Sequence, residues 1–314
     1  MKCLVCKSSN TVPKQKLRDD RYGYPGLFEL TMCRNCGHAF LKSNFSSNQL
    51  TQLYSNYYPR SVFSLEKYHA HEEKKGFISW FDGSRSSAHS WVPRNVRILD
   101  IGCGFGESLG YHKARGCDVY GVEADKNILR VADKYGFKVH TGLFNPNIYE
   151  PDFFDYVTMN QVIEHVTDPL KTLHGVANIL KTGGKTVITT PNAQGWGAKV
   201  FANLWINWHA PYHLQFFSKK SMQIAAKKNG FHVIKTLTIT SSEWLNYQWM
   251  HLITYPNLGK PSAFWSNHKK PNVYEKILLI FFTLFHKSKI NHFLTRFLDT
   301  IEIGDNFLFI LEKQ

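Results

Sequence analysis

The sequence predicts an α/β fold, a doubly wound parallel sheet that carries a small metal-stapled segment at its N-terminus. Three observations point there. Ile98, Leu99 and Ile101 form a short apolar run that stops at Gly102, Gly104 and Gly106, as a strand buried on both faces does when it feeds a tight turn and a helix. Strand-like and helix-like patterns then alternate from residue 96 to about 240, the signature of stacked βαβ units. Finally, four of the six cysteines fall in two C-x-x-C pairs, Cys3/Cys6 and Cys33/Cys36.

Residues 1–45 are read as a zinc-ribbon-like domain. Two C-x-x-C turns separated by 26 residues match a closed tetrahedral site, in which each turn presents two thiolates to one ion at about 2.3 Å. Four sulfurs complete the shell, so the zinc is structural and His38 is not needed as a ligand. A segment this short cannot bury a core of its own, and the metal supplies its folding free energy. Between the pairs, residues 18–26 are charged and turn-rich, read either as a solvated hairpin tip or as a loop reaching over the active site.

Residues 46–95 are read as a helical cap and linker, with Leu50, Leu53, Tyr54, Tyr57 and Tyr58 at helical spacing after a Ser46-Ser47-Asn48 cap. Strands are expected at 96–101, 118–123, 137–141, 154–159, 185–190 and 231–239, with helices at 107–115, 173–180 and 219–229. Ligands of such sheets lie beyond the C-terminal strand ends, where the strand order reverses.

The glycine loop is not the dinucleotide fingerprint. Asp100 enters it and the spacing is G-x-G-x-G, so an acidic group stands where a pyrophosphate would be repelled and a cationic ligand favoured. The second strand ends in Glu123, 19 residues after Gly104, where a carboxylate accepts a ribose diol. These residues resemble motifs I and II of the class I S-adenosylmethionine (SAM) methyltransferases. The likeness continues through Phe154-Asp155-Tyr156-Val157, Asn160 to His165, and Leu180 to Lys185. It implies a Rossmann-like, seven-stranded methyltransferase sheet over 96–314, whose last strand is 305–313, with SAM bound by Asp100, Gly102, Cys103, Gly104, Gly106, Glu123, Ala124, Leu143, Phe144, Asn160 and Gln161. Tyr57, Tyr58 and Tyr68 are candidates to close over it, with core packing as the other reading; Glu164-His165 is read either as supplying a catalytic base in His165 or, as the resemblance favours, as structural and pocket-shaping.

The acceptor is sought in the loop after the fifth strand. Trp196, Phe201, Trp205, Trp208, His209, Tyr212, His213, Phe216 and Phe217 crowd into 22 residues, a composition suited to a sugar ring. His213 is the first candidate for a general base and His209 the second; the competing reading has His213 hold the loop through a backbone carbonyl. Thr190-Pro191-Asn192 is not the Asn-Pro-Pro-Tyr type of motif that amino methyltransferases use on DNA bases, so a base amine loses weight as acceptor.

The combination of a four-cysteine ribbon with a class I domain resembles bacterial methyltransferases of sugar and surface-polysaccharide pathways, without the long extra C-terminal domain of the deoxysugar C-methyltransferases. The resemblance implies methyl transfer to a saccharide or related nucleotide- or lipid-linked acceptor. A net charge of +14 in 314 residues keeps a zinc-finger rRNA methyltransferase as the rival, although nucleic acid is the less favoured partner. A zinc-ribbon scaffold with a vestigial methyltransferase fold is the alternative outside enzymology.

Residues 241–304 are read as an apolar helical insertion. The run Ile277 to Phe285 is nine residues, against the roughly 20 that span a bilayer. Burial against the sheet, a second copy of the chain in a homodimer, and peripheral membrane contact through 273–301 with Lys276, Lys287 and Lys289 toward headgroups all stay open. No signal-peptide pattern follows Met1, and the paired cysteines fit a reducing compartment, so a cytoplasmic site is expected, with the inner membrane surface within reach.

Overall fold

The computed structural model describes residues 2–42, 53, 57, 65–73, 76–266 and 269–314. The helix expected from Leu50 through Tyr58 lies largely outside these residues, Tyr54 and Tyr58 included.

The N-terminal segment supplies β1 (Thr11–Leu17), β2 (Phe28–Cys33) and β3 (Ala39–Leu41). Then α1 (Gly76–Phe81) precedes the alternating units β4 (Arg97–Ile101), α2 (Glu107–Lys113), β5 (Asp118–Glu123), α3 (Ile128–Tyr135) and β6 (Lys138–Thr141). They continue as β7 (Phe154–Asn160), α4 (Pro169–Ile179) and β8 (Leu180–Pro191). After the aromatic loop, which holds the short α5 (Trp196–Val200), come β9 (Gln215–Phe216), α6 (Lys219–Lys228) and β10 (Phe231–Thr238). The insertion forms α7 (Ser242–Ile253), α8 (Val273–Lys287) and α9 (Ile290–Thr300), and β11 (Asn306–Lys313) closes the fold.

The main sheet has seven strands in the order β10-β11-β8-β7-β4-β5-β6. β8, β7, β4, β5 and β6 are parallel, whereas β11 runs antiparallel between β8 and β10. Chain order reverses between β4 and β7, so the C-terminal ends of those strands open the crevice in which such sheets bind ligands. Apolar runs explain the layers. Leu99, Val157 and Ile188 are fully buried at the centre, covered by Leu173 and Val176 of α4 and by Met222 and Ala225 of α6. Asp168 starts α4 by accepting the Lys171 amide at 3.0 Å, with Pro169 at the first helical position.

The N-terminal segment is not a bead on a string. Its strands continue into β9 in a second sheet ordered β1-β2-β3-β9, with Ala39 opposite Phe216 and Phe40 opposite Gln215. The Ser218 hydroxyl both caps α6 and donates to the Cys36 carbonyl at 2.5 Å, so one cysteine turn and the start of a methyltransferase-side helix share a residue.

Residues 18–24 correct the solvated-tip reading. Asp19, Asp20 and Arg21 are buried. The Asp19 carboxylate turns the chain by accepting the amides of Arg21, Tyr22 and Tyr24, and Arg21 reaches the Ile206 carbonyl and stacks 4.2 Å over Trp265. The insertion is split. α7 and α9 bury Leu245, Met250, Asn291 and Leu298, whereas no residue of α8 is buried. No helix among the described residues is long and apolar enough to cross a membrane.

Candidate functional site

The cofactor side forms at the end of β4. Gly102, Gly104 and Gly106 all take positive φ, and at Gly102 a β-carbon would lie 2.5 Å from Val162 Cγ2, so that position has room for backbone only. Asp100 is buried below this loop and accepts hydrogen bonds from the hydroxyls of Ser108 and Thr158, the latter at 2.6 Å. Burial pushes its carboxyl up to about 6, against the pull of those two donors. It braces the loop from beneath.

Glu123 ends β5 with one oxygen accepting the Gly104 amide at 2.9 Å and the other the Asp125 amide at 2.9 Å. The carboxylate is therefore held at the glycine turn, across two parallel strands. Ala124 is exposed beside it, and Leu143, 84% exposed, projects after β6. Phe144 packs into the central core, and the Cys103 side chain packs with Ile98 and Leu109; what Cys103 offers a ligand is main chain. Tyr68 donates to the Gly106 carbonyl at 2.9 Å and so lies on the loop, whereas Tyr57 sets its ring 5.0 Å from Tyr24. At the end of β7, Asn160 accepts the Ala88 amide at 3.0 Å and the Thr189 hydroxyl at 2.9 Å. Gln161, at positive φ, bonds Thr189 and Asn306.

Next to Asn160 and Gln161 lies a small cavity of ≈ 60 Å³. Its walls are hydroxyls and amides, from Ser86, Ser87, Asn207, Thr240, Ser241 and Asn306, together with the Trp244 ring and Asp305. Asp305 is the residue that sequence reasoning passed over. Its carboxylate accepts the Gly197 amide at 2.8 Å and the Trp205 indole N–H at 3.2 Å, and burial pushes it up to about 7. A single Asp at the start of a predicted last strand gave no signal. A larger cavity, ≈ 530 Å³, lies by Arg34, Lys219 and Lys220 at the cysteine turns, away from the ends of β4 and β7.

Neither His213 nor His209 lines the small cavity; both are buried one layer behind it. His213 Nδ1 donates to the Asn207 carbonyl at 2.8 Å, and its other nitrogen faces His209 Nδ1 at 3.4 Å. Burial, then neighbouring cationic and imidazole groups, pushes both rings well below the usual histidine range. That is the loop-holding geometry. His165 Nδ1 meets the Tyr212 carbonyl at 3.0 Å, and Glu164, fully buried, accepts the Thr190 hydroxyl at 3.0 Å.

The four cysteines converge as their spacing predicts. Cys3 and Cys36 sulfurs are 3.6 Å apart, Cys6 and Cys33 3.5 Å, and all four lie within 4.8 Å of one another. A tetrahedron with metal–sulfur bonds of about 2.3 Å has edges of nearly this length, so the donor set fits structural zinc.

Residues 66–236, more than half of the chain, match a family described as methyltransferase domain. Relatives include the ubiquinone biosynthesis O-methyltransferase of Alkalilimnicola ehrlichii, 32% identical over 31% of this chain and 42% of that protein. The enzyme of the same name from Azoarcus sp. is 30% identical over 42% of this chain and 57% of that protein. The chain thus spans about half the length of these curated relatives. Among solved structures, a SAM-dependent methyltransferase from Archaeoglobus fulgidus covers 76% of this chain and 90% of its own, at 20% identity and TM-score 0.43.

Proposed function

This chain belongs to the methyltransferase-domain family, and from that premise we propose that it transfers a methyl group from SAM to a saccharide or related small acceptor. The observation that carries the cofactor half is Glu123 held at 2.9 Å from the Gly104 amide, beside a loop of glycines that leaves main chain bare. Once bound, SAM brings an activated methyl and its own leaving group. What the chain must do is hold, align and take up a proton. Glu123 is set to accept a ribose diol, Leu143 offers an apolar face, and Asp100 stiffens the turn through Ser108 and Thr158.

The acceptor half rests on the small cavity. Hydroxyls and amides beside one half-exposed indole are the chemistry that meets a sugar, and at ≈ 60 Å³ the cavity takes one polar edge of such an acceptor while the rest lies outside it against the indole. Asp305 is the titratable group on that wall, so we move the general base there from His213 and His209, which become positioning residues for the loop. Calorimetry with SAM is the test of the cofactor half. Glu123→Ala is expected to weaken binding roughly 10–100-fold, the loss of hydrogen bonds to a charged group. Wild type that takes up no SAM overturns the reading. Transfer of labelled methyl to nucleotide-sugars tests the acceptor half; transfer to rRNA instead, with steep salt dependence, hands it to the rival.

A second reading concerns location. Ile277, Ile280, Phe281 and Leu284 of α8 and Phe293, Leu294 and Phe297 of α9 are exposed on adjoining helices. Phe81 of α1 meets Phe293 at 4.8 Å, joining exposed Phe77 and Trp80 to the same face. Lys276, Lys287 and Lys289 border it, all exposed. We read this face as one that lies on an anionic bilayer surface, apolar side chains inserted and lysines at headgroup level.

A further inference from the structure

Behind the acceptor cavity three donors converge that neither the cofactor nor the cysteine site uses. Glu164, His165 and His213 each present a ligand atom, and these atoms lie within 4.8 Å of one another. Glu164 Oε1 is fully buried and makes no hydrogen bond, while its other oxygen takes the Thr190 hydroxyl. A buried carboxylate oxygen left in this state costs about 1–3 kcal/mol or more, so it calls for a partner. Both imidazoles are fixed in the same sense. His165 Nδ1 and His213 Nδ1 sit 3.0 and 2.8 Å from the carbonyls of Tyr212 and Asn207, which accept from N–H and leave the lone pair on Nε2. Donating one ring N–H to a backbone carbonyl is the support that metal-ligating histidines have almost everywhere.

We propose that Glu164, His165 and His213 form a second metal site, separate from the four cysteines, for a divalent transition ion. Two imidazoles and one carboxylate suit Mn, Fe, Co or Zn; magnesium and calcium prefer oxygen donors. The contact that competes for His213 Nε2 is His209 Nδ1 at 3.4 Å, long for a hydrogen bond and cheap to give up. Half-buried His165 gives the ion a way in, and Asn207, which orients His213, also lines the acceptor cavity.

The site is independent of which acceptor is used, and its test needs no turnover. Untagged full-length protein is refolded with one equivalent of Co(II), which fills the four-cysteine site, and is then titrated with further Co(II). Thiolate-to-cobalt charge transfer is expected to saturate at one equivalent per chain, while weaker d–d absorption grows to a second. Glu164→Gln and His213→Gln are each expected to lower the total from two equivalents to one and to leave the thiolate band unchanged. Wild type that saturates at one equivalent overturns the proposal, as does a second equivalent that survives both variants. If a variant fails to fold, the wild-type titration still decides.

Discussion

The two sides of the sheet's open edge are made in different ways. On the cofactor side, Asp100, the glycine turn and Glu123 come from one stretch of 24 residues and are set by two adjacent parallel strands. On the acceptor side, Ser87, Asn160, Asn207, Thr240 and Asp305 are gathered from five segments, and the loop that carries Asn207 is pinned by the cysteine-bearing sheet through β9. The first depends on local geometry that the fold supplies anyway. The second depends on long-range contacts, and so on the N-terminal segment.

Metal removal probes that difference most strongly. The four-cysteine site supplies roughly 10 kcal/mol or more of folding free energy to a segment without a core of its own. Chelation, or Cys33→Ser, is therefore expected to release β1–β3, and with them β9 and the packing of Trp205 and Trp208, both buried in the same cluster. Near-ultraviolet circular dichroism would lose its tryptophan signal and proteolysis would cut within residues 192–217, while SAM affinity falls by less than tenfold. An equal collapse of SAM binding would make the two sides one cooperative unit and break the comparison.

Asp305 gives the next largest effect. A base must be ionised to act, and a carboxyl raised from its ordinary 3.8 to about 7 is ionised only as pH rises through neutrality. The value of kcat/KM should climb with pH around 7. Asp305→Asn should lose that limb and about 10²–10⁴-fold in rate, with SAM affinity unchanged. For stability the sign is opposite. A folded pKa above the unfolded one stabilises fully below 3.8 and loses that contribution as pH passes about 7, so above pH 7 the Asn variant should melt no lower than wild type. A pH profile that keeps its limb in the variant would return the base to the histidines.

The same contrast explains what could be read in advance. The central strands were legible because Ile98 to Ile101, Phe154 to Met159 and Thr186 to Thr190 are largely apolar or β-branched runs, the last strand because the resemblance calls for one there, and Glu123 because its distance from the glycines is set by one βαβ unit; that the strand before Pro191 already begins at Leu180, through Gly183 and Gly184, was not. The cysteine cluster was legible because its chemistry needs that spacing. Asp305, and the burial of residues 18–24, were not. Both follow from tertiary neighbours: Gly197 and Trp205 for the carboxylate, Trp265 and Ile206 for Arg21. A charged turn looks solvated until the insertion that covers it is known. His209 and His213 were found by composition, but their role depends on where their nitrogens point.

The smallest effect on stability falls on a face that neither side of the edge uses. Ile280 and Phe293 are 62% and 67% exposed, so replacing both by serine removes little packing and should move the unfolding free energy by about 0.5 kcal/mol or less per site. If the face lies on a bilayer, the same double variant should lose most of its co-sedimentation with vesicles rich in phosphatidylglycerol. Wild-type binding should fall with added salt, as the lysine border requires, and be weak on phosphatidylcholine alone. A wild type that ignores both kinds of vesicle but elutes as a dimer, which the serines dissolve, would assign the face to a second copy of the chain. Either result separates this face from the catalytic edge, because SAM affinity and the pH limb are expected to stay as they were.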